Sequence, residues 1–536
     1  MAELRVSGRV ASGGFAAGPV AVFSTDAGTA RLAREPVAET HALRSAIASA
    51  LEQLGDLAGK AQSDGADILA FQIAMLEDEA LSEAALAAIG AGVSADRAWR
   101  SALDSEIGDY EAAEDMHFKA RASDLRDIRD RVAGILSGVA TDLRLPPGAI
   151  LVGEDLTPSR FLSTDWSSGG GIALTRGSAS GHVATLARAR GVPMIVGVAL
   201  DLGGIGQRTN ALIDGANATL TIDPEDATRE DFAARERAAR TSRSAAEQFR
   251  TRPALTADGT PIAVYINVAD PAEVETLDPG DCDGIGLVRT EFLFSGKRGL
   301  PDEETQYRAY RRLAEWAAGK PVTIRTLDAG ADKPIAGLTL DHEANPFLGM
   351  RGIRLSLAKP EIFRTQLRAL CRAANHGAIE IMLPMVALPR ELELARDCLE
   401  DALSGLRVAG APCRRPDFGI MVEVPAAAIL VEAFDAAFFS IGSNDLTQYV
   451  MAAARDSDAV AELNDPSHPA VLRLIAQVAA YGARVGRKVS LCGDAGGEPK
   501  FIEALLRAGL RSLSVSPAAL GSVKKAIARV ALGGQG

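Results

Sequence analysis

The feature that most constrains this chain is a set of eight short apolar or β-branched runs in its second half. They lie at residues 262–268, 284–288, 322–327, 379–386, 418–424, 437–441, 488–491 and 510–515, with helical texture between them. Strands that alternate with helices pair in parallel, because each crossover returns the chain to the same end of the sheet. Eight such units within the roughly 250 residues typical of the architecture predict a closed (β/α)8 barrel.

Ligands of such barrels meet the loops that follow the strands, so polar residues at the strand ends are the first candidates for chemistry. They are Asn267; Arg289 and Glu291; Arg325 and Asp328; Glu423; Asn444 and Asp445; Cys492 and Asp494; Ser514 and Ser516. Such a rim suits a small, multiply anionic ligand together with a divalent cation. Arg289, Arg325, Arg351 and Arg455 can each grip phosphate or carboxylate with a planar two-donor fork. Any one of them alone could equally be a rim ion pair. Glu423 and Asp445 are hard oxygen ligands, few in number, of the kind Mg2+ shares with a substrate phosphate. A helix cap is the alternative for Asp445, but Glu423, inside an apolar run and before Pro425, is poorly explained that way. Cys492 ends a strand in Leu-Cys-Gly-Asp. A thiol of ordinary pKa, about 8.5, is mostly protonated at neutral pH and can donate its proton.

The first half reads differently. Residues 5–23 alternate small and apolar side chains, and short apolar runs return at 149–152, 171–174 and 194–198, which predicts a small mixed α/β domain. Between them, residues 35–141 are rich in Ala, Leu, Glu and Arg, with no proline after Pro36. Leu51, Leu54 and Leu57, and again Ile128, Val132 and Ile135, recur at helical spacing, so an inserted subdomain of four or five helices is expected. The expected organisation is therefore 1–34 with 142–222 as the mixed domain, 35–141 helical, 223–252 a polar linker helix and 253–536 the barrel. His182 closes the loop Thr175-Arg-Gly-Ser-Ala-Ser-Gly-His and opens an amphipathic helix. Backbone N–H groups and the helix dipole can receive an anion there, and neutral imidazole is a ready nucleophile toward phosphorus. Taken alone, His182 could as well be structural.

Composition removes other classes. With 57 Lys and Arg against 70 Asp and Glu, the net charge is −13, and aromatics are 5%, which opposes nucleic-acid or anionic-membrane binding. No secretory leader pattern and no apolar stretch of spanning length occur, so a cytoplasmic protein is expected. The five cysteines, Cys282, Cys371, Cys398, Cys413 and Cys492, are scattered without CxxC spacing, which argues against a disulfide framework or a zinc site.

Longer motifs then carry a resemblance. Met75-Leu-Glu-Asp-Glu, Asp124-Leu-Arg-Asp-Ile, Asp155-Leu-Thr-Pro-Ser and Gly284-Ile-Gly-Leu-Val-Arg-Thr-Glu-Phe-Leu-Phe are followed by Arg325-Thr-Leu-Asp and Asn345-Pro-Phe-Leu-Gly-Met-Arg. Met421-Val-Glu-Val-Pro-Ala-Ala, Ser440-Ile-Gly-Ser-Asn-Asp-Leu-Thr-Gln-Tyr and Leu491-Cys-Gly complete the series. In this order, over nearly the whole chain, they resemble enzyme I of the bacterial phosphotransferase system, a family of PEP-utilising enzymes. The resemblance implies a swivelling phosphohistidine domain phosphorylated on His182 Nε2, and phosphoenolpyruvate bound by Arg289, Arg325, Arg351, Asn444, Asp445 and Arg455. It implies Mg2+ on Glu423 and Asp445, Cys492 as proton donor to the enolate, release of pyruvate, a helical subdomain that docks the histidine phosphocarrier protein HPr, and a homodimer through the barrel. The sequence departs from the family at Ser178-Ala-Ser-Gly-His182, where Gly-Gly-x-Thr-Ser-His is usual, and at Phe161, where a threonine that can bond the histidine is often found. A dikinase or phosphoenolpyruvate synthase is similar in histidine domain and barrel but needs an ATP-binding domain for which the chain has neither length nor a glycine-rich loop. The departures around His182 motivate one other alternative, a regulatory paralogue that binds a carrier without efficient catalysis; the complete barrel rim opposes it.

Overall fold

The computed structural model describes residues 3–23, 32–60, 63–112, 116–138, 145–177, 179, 181–205, 209–294, 300–330, 335, 338–340, 343–455 and 457–533, with residues 60, 63–64, 66–67, 111–112, 116–121 and 458–459 described in backbone only. The chain divides into two compact units, Met1–Ala239 and Arg240–Gly536. The division falls within the helix Asp226–Arg250.

The first unit holds strands β1 (Leu4–Ser7), β2 (Arg9–Ser12), β3 (Phe15–Val22), β4 (Ile150–Gly153), β5 (Gly171–Leu174), β6 (Met194–Val196), β7 (Asn210–Asp214) and β8 (Thr219–Ile222). They form one sheet in the order β1-β8-β7-β3-β4-β5-β6-β2. Its centre, β3 to β6, is parallel, while β1, β8, β7 and β2 join antiparallel. Parallel strands buried on both faces read as continuous apolar runs, and β4 and β5 are buried at every residue.

Between β3 and β4 lies the helical insertion, with helices Pro36–Lys60, Ser63–Glu77, Ala80–Gly90, Ala95–Ala112 and Met116–Ser137. Leu43, Leu54, Leu69, Ile89, Leu103, Leu125, Ile128 and Val132 form its core around Trp99, whose indole N–H donates to the Arg129 carbonyl at 3.2 Å. The buried Glu39 serves two helix starts. Its Oε1 accepts from Arg34 N at 3.2 Å, just ahead of its own helix, and its Oε2 accepts from Ala95 N at 2.8 Å. Unpaired N–H groups at a helix start need such an acceptor.

The second unit is a closed barrel of eight strands, each parallel to its neighbours. They are β9 (Ala263–Val268), β10 (Ile285–Val288), β11 (Val322–Arg325), β12 (Ile379–Leu383), β13 (Asp417–Val422), β14 (Phe438–Ile441), β15 (Lys488–Leu491) and β16 (Ser512–Val515). All eight expected runs are strands. Seven run shorter than expected, three of them by two or more residues, at 322–325, 379–383 and 512–515. Leu327, Met385 and Val386 are buried in the loops beyond the ladders, so apolar character continues past the last strand residue. The outer helices bury one stripe each, as Leu392, Ala395, Leu399, Ala402, Leu403 and Leu406 do in Pro389–Val408. Each such leucine contributes about 1.5–3 kcal/mol by leaving water.

The barrel interior has little room to spare. A Cβ on Gly286 would stand 2.5 Å from Ser514 Oγ and 2.9 Å from Tyr265 Cβ. Gly286→Ala is therefore expected to overpack the β9, β10 and β16 contact and destabilise the barrel by about 1–3 kcal/mol. Chemical denaturation followed by far-ultraviolet dichroism checks this, and an unchanged midpoint would refute it.

Candidate active site

At the C-terminal ends of the barrel strands a cleft of about 240 Å³ is lined by Arg289, Arg325, Glu423, Asn444, Asp445, Arg455 and Cys492, together with Asp328 and Asp494. The structure thus gathers nine of the sequence candidates on one face. Arg351 does not line the cleft. It is buried, with Nη2 2.9 Å from Asp328 Oδ2, and Nη1 3.4 Å from Asp445 Oδ1 and 3.3 Å from the Tyr449 hydroxyl.

Asp328 is shared by two guanidiniums, since Arg325 Nη1 also lies 3.0 Å from its Oδ2. Arg325 Nη2 donates to Glu291 Oε1 at 2.8 Å, and Asp328 N donates to the same oxygen at 3.1 Å. Burial alone would lower both arginines. The carboxylates outweigh it: Glu291 and Asp328 hold Arg325 above the ordinary arginine value, and Asp328 and Asp445 do so for Arg351. Both therefore carry a permanent positive charge.

Glu423 is the converse case. Burial, then the nearby Asp445 and Asp328, push its carboxyl up to about 8, with Arg325 and Arg351 offsetting only part of this. Its Oε1 accepts from Met385 N at 2.7 Å. Met385 holds a left-handed φ of 59°, which costs about 1–2 kcal/mol in a residue with a side chain. A Cβ on Gly442 would stand 2.7 Å from Glu423 Oε2, so only glycine lets the end of β14 pass the carboxylate. Carboxyls crowded closely enough to raise Glu423 would be relieved by a hard divalent cation. Glu423 and Asp445 are two hard oxygen donors, which suits an ion that takes its other ligands from water or substrate, as Mg2+ commonly does.

Cys492 is buried, with Sγ 3.6 Å from the Ile441 carbonyl. Burial pushes the thiol up to about 11, so it holds its proton at neutral pH. Asn444 and Asp494 fix each other: Asn444 Nδ2 donates to Asp494 Oδ2 at 2.9 Å, and Asp494 N donates to Asn444 Oδ1 at 3.0 Å. Arg455 is exposed and lies 5.7 Å from the Phe347 ring. Asn267 does not line the cleft; its amide donates to the carbonyls of Cys492 at 3.1 Å and Ser514 at 3.3 Å, stitching three strand ends together.

His182 belongs to the first unit. It is the first residue of the helix His182–Arg190, after Gly181 in an extended conformation. Arg188 braces the preceding loop by donating to the carbonyls of Ala11 at 2.7 Å and Ala179 at 2.8 Å. Ser178 and Ser180 lie outside the described residues. The imidazole is 38% exposed, and its Nδ1 lies 3.9 Å from Oδ1 of the buried Asp124, too far for a hydrogen bond. Asp124 and Asp127 are joined by the Gln72 amide, and Asp127 accepts from Ser159 N at 2.8 Å and Ser159 Oγ at 2.6 Å. The Asp124 and Asp155 motifs thus meet in one polar seam. Its contact with His182 was not legible in the sequence, because 58 residues separate Asp124 from the histidine. Phe161 is fully buried, stacked on Trp166 at 5.4 Å with Arg190 5.6 Å away.

Comparison with known proteins bears on these arrangements. The family model of the PEP-utilising enzyme PEP-binding domain matches residues 243–532, that of the N-terminal domain residues 7–121 and that of the mobile domain residues 145–218. A phosphoenolpyruvate-protein phosphotransferase of Haloferax volcanii is 38% identical over 85% of this chain and 80% of its own length. Relatives of the same name are 35% identical: in Bacillus subtilis over 87% of this chain and 82% of theirs, in Geobacillus stearothermophilus over 96% and 91%. One domain model alone spans more than half of the chain, and the relatives align with most of both lengths, so this chain belongs to the phosphoenolpyruvate-protein phosphotransferase family of PEP-utilising enzymes.

Proposed function

We propose that this protein takes the phosphoryl group of phosphoenolpyruvate onto Nε2 of His182, releases pyruvate, and passes the group to a histidine of an HPr-like phosphocarrier protein, the first step of a sugar phosphotransferase system. The observation that carries this reading is the barrel cleft, where Arg289, Arg325 and Arg455 converge beside Glu423 and Asp445.

Phosphoenolpyruvate carries a carboxylate and a phosphate, and fixed guanidinium forks match both groups. Arg325 is suited to the task because its own carboxylate partners hold it in place. In the reaction the enol C–O–P linkage breaks at its P–O bond while a P–N bond forms to the imidazole lone pair on Nε2. That lone pair is available when the proton sits on Nδ1, facing Asp124. The enolate left behind takes a proton at carbon from the Cys492 thiol, giving pyruvate; the thiolate recovers its proton from water. Mg2+ held by Glu423 and Asp445 would neutralise negative charge on phosphate and enolate. Asn444, fixed by Asp494, is free to orient the substrate on the same rim.

The cycle requires His182 to meet two partners in turn, and the helix within residues 223–252 is the proposed hinge. The helical insertion of residues 35–141 is the proposed carrier-docking surface, and the barrel the proposed homodimer contact. No described helix is long and apolar enough to cross a membrane.

Intact-protein mass spectrometry after incubation with phosphoenolpyruvate and Mg2+ tests the reading: one acid-labile phosphoryl group is expected, absent in His182→Ala. Persistence of the label in His182→Ala would reassign the acceptor, and no label on the unaltered chain would favour a carrier-binding regulator. Glu423→Gln is expected to cost about 10²–10³ in pyruvate formation, the scale of removing one positioned electrostatic group, and to abolish its Mg2+ dependence. Cys492→Ser is expected to keep phosphoenolpyruvate affinity, measured by calorimetry, while slowing pyruvate formation about 10²-fold or more; full-rate formation would remove the thiol from the proton-donor role.

A further inference from the structure

The helix Pro360–Ala373 packs against the barrel with Phe363, Leu367 and Leu370, and its buried stripe contains one amide, Gln366. A leucine there would satisfy packing, so a buried amide needs a reason. Its carbonyl Oε1 accepts from Leu327 N at 3.0 Å. Because Leu327 N–H can only donate, this contact fixes which way the amide faces. Its Nε2 therefore points the other way, donating to Thr290 Oγ1 at 3.3 Å and to the Tyr310 hydroxyl at 3.1 Å. Thr290 in turn donates to the Arg325 carbonyl at 3.0 Å. Tyr310 donates to Gln306 Oε1 at 3.1 Å, and Gln306 donates to the Pro301 carbonyl at 3.1 Å.

Every donor of the Gln366 amide is thus used, and what it joins is specific. Thr290 directly follows Arg289 at the end of β10, while Leu327 lies between Arg325, at the end of β11, and Asp328. Both arginines and Asp328 face the cleft. One side chain from an outer helix therefore spans two neighbouring strand ends, directly behind the two cations that the proposed function assigns to phosphoenolpyruvate.

We infer that Gln366 is a positioning residue: through Thr290 and the Leu327 amide it sets the spacing of the Arg289 and Arg325 forks, and hence the affinity and reactivity of the bound substrate. This rests on the phosphotransferase reading for the substrate's identity, while the spacing role stands on the hydrogen bonds alone. Fully satisfied buried networks rigidify what they join, and a displacement of about 1 Å at such groups can cost about 10²-fold in rate.

The test uses the full chain with phosphoenolpyruvate and Mg2+, reading affinity by calorimetry, the single-turnover burst of pyruvate, and thermal unfolding. Gln366→Met keeps the volume and removes all three hydrogen bonds. Weaker phosphoenolpyruvate binding, with a burst slowed about 10²-fold in a folded protein, is the expected result. Thr290→Val should act like Gln366→Met, Thr290→Ser should restore near-normal values, and the Gln366→Met/Thr290→Val pair should be strongly non-additive. Unchanged affinity and burst in folded Gln366→Met, even with a lowered unfolding temperature, would overturn the inference by leaving the amide a structural role only. If Gln366→Met does not fold, the Thr290 pair decides, and equal behaviour of Thr290→Val and Thr290→Ser is the overturning result. Absence of any burst from the unaltered chain would sink the phosphotransferase reading, whereas the affinity comparison would still judge Gln366.

Discussion

Asp328 lies buried between two guanidiniums, Arg325 on one side and Arg351 on the other, and Arg351 reaches on to Asp445. Charges withdrawn from water persist only when paired, so each member of this row depends on the next. The consequence is a division of labour. Arg351 and Asp328 are consumed by the row, which leaves Arg325 with one edge toward the cleft and holds Asp445 near Glu423. Glu423 is then only partly offset by Arg325 and Arg351, and is pushed up to about 8 by burial and its acidic neighbours. Carboxyls crowded in this way suit a cation, so the pairing below the cleft bears on the ligand chemistry proposed above it.

Much of the barrel was legible because its strands are short, apolar and regularly spaced, and because a polar residue marks the end of nearly every one. What could not be read was depth. Arg351 and Arg325 look alike in sequence and both are buried, yet only Arg325 lines the cleft. That difference comes from Asp445 and Tyr449, which contact Arg351 but not Arg325. The Gln366 network left a faint signal, an amide inside an apolar helical stripe, but nothing local tells whether such a residue bonds to a strand end or to water. Asn267 misled in the other direction, a rim residue by position whose amide is spent on neighbouring carbonyls.

Around His182 the sequence departures have a physical content. Phe161 packs in a buried contact with Trp166 and Arg190, at the position where the resemblance implies a hydroxyl. The polar support comes instead from the insertion, where Asp124 faces Nδ1 and is tied through Gln72 to Asp127 and Ser159. Asp124, 3.9 Å from Nδ1, thus places a carboxylate of the insertion beside the imidazole.

Barrel closure has a consequence for how the chain is made. Strand β16 completes the ring by pairing with β9, Ser512 against Ala263 through Val515 against Ile266. During synthesis from the N-terminus, β9 waits with an open edge while some 250 residues follow, and open edges of parallel sheets fold slowly and invite intermolecular pairing. The sheet of the first unit closes its own long-range pair, β1 with β8, once Ile222 has emerged. The two halves therefore mature on different clocks, and the barrel is the part of the nascent chain most in need of protection from its neighbours.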